Sequence, residues 1–435
     1  MNRVVNNAFW IIGCRIVQSL LSLIVSMMSA RYLGPAGYGT IQYASSLVVF
    51  VTPIMQLGFT TIIVNEFISS PKEEGKILGT AMISCMASAA LTMIGVISFS
   101  IVANPGESET VIVCALMSLN LLFSAMEMCQ YWFQAKLLSK YTSVASLVSY
   151  VLISAYKIFL LATNKSVYWF AISYALDVML IAVSLLVIYK KLGGQKLSFS
   201  FDLAKEMFAK SKVYILSGLM ISIFTQTDRV MLDYMIDSTA TGYYSAAAAC
   251  ASLASFVFGA IIDSGRPVIL ESHKRDKALF ELNVKRLYSI VIYFSLAQCI
   301  VMTLVPELII GITYGKDYYP AVSALRIIVW YTTFSYMGIV RNTWLLAESL
   351  QRYQWIIDLS GAVSNVVLNL LLIPLWGVNG AAAASLISQF IVNVGIGFII
   401  KPVRHGNVLM LQSLNPRFLL DMAKHMLSQR RKAET

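Results

Sequence analysis

Apolar stretches of roughly 20 residues recur from end to end of this sequence. Each is long enough to cross bilayer hydrocarbon as a helix rising ~1.5 Å per residue. No block between them has room for a soluble domain. Hydrophobic residues make up 58% of the chain and charged residues 13%, a balance that needs lipid as solvent. The chain therefore reads as an all-α polytopic membrane protein. Its first apolar block carries Arg15 and no small-x-small cleavage site follows it, so that block reads as a permanent helix rather than a signal peptide.

About twelve helices are predicted, near 7–30, 41–64, 79–103, 111–133, 143–163, 167–189, 213–233, 240–262, 286–305, 323–346, 355–376 and 380–400. They form two sets of six. An N-terminal lobe over 1–200 and a C-terminal lobe over 201–401 are joined through the polar stretch Lys190 to Lys212, and a basic tail follows over 402–435. With an even helix count, most of the 33 Lys and Arg fall on one side, while the other holds Arg31, Lys165 and Lys316. Positive loops stay cytoplasmic, which places both termini in the cytoplasm. The net charge of +11 then follows from topology and acidic lipid headgroups, and nucleic acid is discarded as a partner.

A weak echo links the halves. After helix 1 the chain reads Gly37-Tyr38-Gly39-Thr40, and after helix 7 it reads Thr241-Gly242-Tyr243-Tyr244. Duplicated six-helix halves are a transporter architecture.

Function has to be sought among polar groups that hydrocarbon excludes. Arg15, Gln18, Ser22, Ser26 and Ser29 recur at helical spacing in helix 1. Helix 4 offers Asn120, Ser124, Glu127, Tyr131 and Gln134, and helix 7 offers Ser222, Thr225, Gln226, Arg229 and Asp233. Three such stripes point to a central aqueous cavity. For the serines and threonines alone, helix packing is an equal reading. Arg15, Arg31, Lys157, Arg229 and Arg341 are the candidates for holding an anionic headgroup, because guanidinium groups present paired donors to phosphate. Lys157 and Asp177 lie at similar depth on the helix 5–6 hairpin and are expected to pair. Otherwise, Asp177 becomes a proton-coupling candidate.

Asp228, Asn365, Asn369 and Ser385 lie at comparable depths in helices 7, 11 and 12. They offer hard oxygen donors that suit an alkali cation and not zinc, with interhelical hydrogen bonding as the alternative. Sodium or proton coupling is thus expected, with no cofactor and no resident metal. The three histidines, His273, His405 and His425, lie in cytoplasmic segments, and no phosphate loop or nucleophile motif is present, so no enzyme is expected. The six cysteines fall within apolar helices without CxxC spacing and read as core residues.

Arg31-Tyr32-Leu33-Gly34-Pro35-Ala36-Gly37-Tyr38-Gly39 and Thr225-Gln226-Thr227-Asp228-Arg229-Val230-Met231-Leu232 resemble signatures of the polysaccharide repeat-unit flippases. So do Tyr314-Gly315-Lys316-Asp317-Tyr318-Tyr319-Pro320-Ala321 and the run from Asn369 to Ala382. The family sits within the multidrug, oligosaccharidyl-lipid and polysaccharide exporter superfamily. The resemblance implies two lobes in a V shape, alternating access in a bacterial inner membrane, and an undecaprenyl-diphosphate-linked oligosaccharide as cargo for O-antigen, capsule or exopolysaccharide. It implies a cavity arginine at Arg15 and a sodium site at Asp228, Asn365, Asn369 and Ser385. Membrane lipids, and a polymerase and glycosyltransferases of the same pathway, are the implied partners. A multidrug exporter or a lipid II flippase of the same fold is the competing reading. Exporters of cationic drugs favour acidic cavities, whereas arginine and lysine are expected around this one.

Overall fold

The computed structural model describes residues 2–416 and 418, without the side chains of residues 2–12, 15, 16 and 20. Helices make up all its regular structure, with no strand among the described residues. In chain order they are α1 (Asn2–Met55), α2 (Phe59–Ser69), α3 (Glu74–Ala103), α4 (Ser108–Met126), α5 (Gln130–Ala135), α6 (Ser139–Ala162), α7 (Val167–Lys191) and α8 (Phe201–Met235). There follow α9 (Ser238–Ala251), α10 (Ser255–Arg275), α11 (Lys277–Leu304), α12 (Pro306–Thr313), α13 (Ala321–Ala347), α14 (Gln354–Trp376), α15 (Val378–Phe390), α16 (Ile396–Ile399) and α17 (Arg404–Gln412). A 3₁₀ turn, Glu127–Cys129, joins α4 to α5, and a π-helix, Ile391–Gly395, joins α15 to α16.

Eight helices are long and apolar enough to cross a membrane, or up to ten if each of two bent pairs is one span. The expected twelve are not all recovered on this test. Spans 7–30 and 41–64 both begin within α1, and 323–346 falls in α13, which is not among the eight. No loop separates the first two. Helix runs through the expected connection and breaks only at Gly34, where φ is 69° and ψ 176°. Glycine takes this positive φ without a Cβ clash, and Pro35 begins the next helical segment with its φ already set. A second break falls at Leu57 and Gly58, both at positive φ, before α2. α8 also starts earlier than expected, at 201 rather than 213. Ser200 caps it, its hydroxyl accepting from the Leu203 N–H.

The chain divides into two compact units, one up to Gly242 and one from Tyr243 onward. α8, expected to open the C-terminal lobe, is grouped with the first unit. In that unit Tyr43, Met55, Phe59, Ile63, Leu78 and Phe133 form a closed core. Leu91, Ile101 and Val102 face outward on α3, 72%, 55% and 80% exposed. That distribution is stable where the surroundings are lipid. Buried hydroxyls satisfy themselves on their own helix, as where Ser29 donates to Val25 O at 2.8 Å and Ser46 to Gln42 O at 2.8 Å.

Candidate functional site

Helical spacing brings Ser22, Ser26 and Ser29 of α1 onto one face, and that face lines a cavity of about 170 Å³ inside the first unit. Tyr150 and Lys157 of α6 stand opposite, seven residues apart, and Tyr174 and Asp177 of α7 complete the wall at i and i+3. Ser149 donates to Asp177 at both Oδ1 (2.7 Å) and the backbone O (3.0 Å). Lys157 Nζ lies 4.1 Å above the centre of the Tyr174 ring. Tyr150 of α6 and Ser22 of α1 interact across the cavity.

Lys157 and Asp177, expected from depth to pair, make no direct ion-pair contact, although each lies within electrostatic reach of the other. Ser149, which holds the carboxylate, is eight residues before Lys157 on α6, or ~12 Å along the axis. The ammonium instead rests on the aromatic face one turn before Asp177, a cation–π contact. Both charged groups still line the same cavity.

A second cavity of about 280 Å³ continues the α1 stripe at Gln18. Gln130 and Gln134 of α5 and Ser139, Thr142, Ser143 and Ser146 of α6 line it. The stripe expected on helix 4 divides between the two regions. Ser124 donates to Asn120 Oδ1 at 2.9 Å and Asn120 reaches Tyr174 O at 3.4 Å, while Gln134 faces the second cavity. Glu127 is half-buried between them, within electrostatic reach of Asp177. The described wall of the first cavity therefore has mixed charge, Lys157 and Asp177, with Glu127 close to Asp177. A lining dominated by arginine and lysine is not what the described side chains provide.

None of the other expected anion ligands is among the described residues that line these two cavities. The Arg15 side chain lies outside the described residues. Arg31 is exposed on α1 and lines neither cavity. Arg229 on α8 donates from Nη1 to Gln226 Oε1 at 3.0 Å, one turn earlier on the same helix. Beside it Asp228 is 4% exposed, in the first unit.

In the second unit Arg341 is 3% exposed, and its Nη1 donates to Val392 O at 2.6 Å. That carbonyl belongs to the π-helix, whose wider turn releases backbone acceptors from ordinary helical pairing. Asn407 Nδ2 holds the neighbouring Val394 O at 2.6 Å. Arg341 thus fastens a helix irregularity. Asn365 and Asn369 are buried on one face of α14, where Asn369 Nδ2 donates to Asn365 Oδ1 at 3.1 Å. Ser385 on α15 shares a hydrogen bond with Tyr244 at 3.1 Å. Gly380 permits the tight α14–α15 hairpin, since a Cβ there would meet Leu372 O at 2.0 Å.

Ser149, Tyr150 and Tyr174 escaped the sequence reading as site residues. Their signal was present: Tyr150 precedes Lys157 by two turns, and Tyr174 precedes Asp177 by one.

Comparison with known proteins gives the following. The family model described as polysaccharide biosynthesis protein matches residues 4–273, more than half of the chain. The capsular polysaccharide biosynthesis protein CapF of Staphylococcus aureus is 22% identical over 408 residues, covering 92% of this chain and all of that protein. An uncharacterized membrane protein of Methanocaldococcus jannaschii is 26% identical over 299 residues, 66% of this chain and 57% of its own. Among solved structures, the lipid II flippase MurJ in an inward closed conformation superposes with a TM-score of 0.73 at 15% identity, covering 95% of this chain and 92% of that one. An inward-facing multidrug resistance MATE family transporter of the MOP superfamily gives 0.66 at 12% identity, over 91% and 95%. At such identities these likenesses establish an exporter-type helical fold.

Proposed function

This chain belongs to the polysaccharide biosynthesis protein family, and on that premise we propose that it flips an undecaprenyl-diphosphate-linked oligosaccharide repeat unit between the leaflets of a bacterial cytoplasmic membrane. Multiple apolar helices make it a multi-pass membrane protein. The observation that carries the reading is the polar stripe of Ser22, Ser26 and Ser29, which opens on a cavity inside a chain with many large apolar side chains on its outer surface. Hydroxyls, tyrosine rings and one lysine can receive sugar hydroxyls and a phosphate oxygen as the headgroup crosses hydrocarbon. The likeness to CapF favours capsule over O-antigen as the destination.

In this reading Arg15, Lys157, Arg229 and Arg341 divide into two groups, with Arg31 exposed on α1 and retained as a ligand outside both. Lys157 lines the first cavity, and Arg15, whose side chain lies outside the described residues, is retained as a headgroup ligand on the sequence stripe alone. The local partners of Arg229 and Arg341 give those two a positioning role. Asp177 is the carboxylate placed for proton coupling, and Asp228, Asn365, Asn369 and Ser385 are retained as oxygen donors for sodium. The basic loops and tail orient both termini to the cytoplasm. Polymerase and glycosyltransferases of the same pathway are the protein partners.

One observation favours a drug exporter as the second reading: Asp177 and Glu127 supply negative charge that would suit a cation. A strain lacking this protein separates the two. The flippase reading expects lipid-linked repeat units to accumulate inside and surface glycan to fall, both restored by wild type and not by Lys157→Met at matched expression. Normal surface glycan with lowered resistance to cationic drugs would overturn it.

A further inference from the structure

α7 and α8 are both long and apolar enough to cross a membrane, so the segment joining them lies at a bilayer surface. From Gln195 onward it runs against the start of α3. The Gln195 side chain accepts from the Gly75 N–H at 3.0 Å and donates to Pro71 O at 3.2 Å. Ser198 N–H donates to Gly75 O at 3.3 Å, and Ser200 N–H donates to Thr80 Oγ1 at 3.0 Å. Two glycines allow this approach. A Cβ on Gly75 would meet Lys196 O at 2.4 Å, and one on Gly79 would meet Ser198 O at 2.5 Å.

Along this strap Leu197, Phe199 and Phe201 leave large apolar side chains at the surface, 39%, 47% and 73% exposed. Lysines surround this apolar row. Lys190, Lys191, Lys196, Lys205 and Lys212 are exposed and join no ion pair among the described residues, whereas Lys210 is held by Glu66 at 2.8 Å and Glu206 at 2.9 Å. Asp202, also exposed, is the carboxylate of this stretch that joins no ion pair among the described residues, since Glu206 holds Lys210.

We propose that the strap from Gln195 to Phe201, with its flanking lysines, is a docking surface for acidic phospholipids. Leu197, Phe199 and Phe201 enter the boundary between headgroups and acyl chains, and the five lysines meet lipid phosphates. Charge complementarity selects this occupant: an apolar row framed by unpaired cations fits an anionic interface, and the adjoining spans hold it at that depth. The surface acts whatever the transported molecule is, so it stands apart from the proposed function.

The test uses full-length protein with Leu197→Cys, labelled with an environment-sensitive fluorophore; the six native cysteines are buried. The protein is reconstituted into phosphatidylcholine vesicles in which either brominated phosphatidylglycerol or brominated phosphatidylcholine is added at the same mole fraction. Brominated phosphatidylglycerol is expected to quench several-fold more strongly. Replacing the five lysines with glutamine should remove that preference, by up to about fivefold per lysine. Equal quenching by both lipids in the otherwise unaltered protein overturns the acidic-lipid assignment. Absence of quenching overturns lipid docking altogether, and cross-linking from position 197 to another polypeptide in native membranes would give the face to a protein instead.

Discussion

Gly39, just after the first echoed Gly-Tyr pair, and Gly242, in the second, mark a close helix approach that alanine should break. A Cβ on Gly39 would stand 1.7 Å from Ser238 O and 2.8 Å from Gly242 N, and a Cβ on Gly242 would stand 2.0 Å from Pro35 O. An ordinary carbon–oxygen contact is ~3.3 Å, so the two backbones must separate by roughly 1.3–1.6 Å. The obstacle is backbone, and no rotamer change relieves it. Overpacking of this kind costs about 1–3 kcal/mol, and rigid backbone on both sides puts Gly39→Ala near ~3 kcal/mol, more than about a hundredfold in the folded ratio. Gly95→Ala is the matched control in α3. Its Cβ would meet nothing within 4 Å, and alanine there should be neutral or stabilising by up to ~1 kcal/mol. Heating detergent-purified protein and following the monomer by size exclusion should show a lowered midpoint for Gly39→Ala and Gly242→Ala but not for Gly95→Ala. The double variant should cost less than the sum, since one separation relieves both contacts. A Gly39→Ala protein as heat-resistant as Gly95→Ala would refute the reasoning.

Three further outcomes are expected. Asp177→Asn keeps an acceptor for Ser149 and should fold normally, yet slow glycan export about tenfold or more, the scale of one charged hydrogen bond; export measured at matched expression checks it. Arg341→Met leaves the Val392 carbonyl unpaired and should cost ~1–3 kcal/mol, with faster amide hydrogen exchange around Ile391–Gly395. Trp132→Phe removes the 2.7 Å bond from the indole N–H to buried Glu74, costing ~1.5–3 kcal/mol in thermal unfolding, while Lys136 still holds that carboxylate.

Helix class was legible because twenty-residue apolar blocks admit few other structures, whereas the expected twelve spans exceed the eight to ten that pass as membrane-crossing. The serine stripe of α1 was legible too, since helical period alone puts Ser22, Ser26 and Ser29 on one face. Continuous helix through Gly34 was not: Gly-Pro reads as a connection, yet the same residues can break a helix for one residue and restart it. The start of α8 was missed because residues 201–212 are too polar to register as a span, although Ser200 and Asp202 are ordinary start signals. Lys157 and Asp177 came to one cavity as their depths suggest, but without direct contact, because sequence gives depth along an axis and not which side chain occupies the space between. Arg341 looked like a ligand for the same reason. Nothing in its neighbours announces a π-helix 50 residues later whose carbonyl it satisfies.

Leaflet-to-leaflet transfer of an undecaprenyl-diphosphate-linked oligosaccharide in vesicles containing only the purified protein tests the central claim most directly. The account predicts transfer that depends on the protein and is lost with Lys157→Met. Vesicles that move a cationic drug but leave the lipid-linked oligosaccharide in its original leaflet would contradict it.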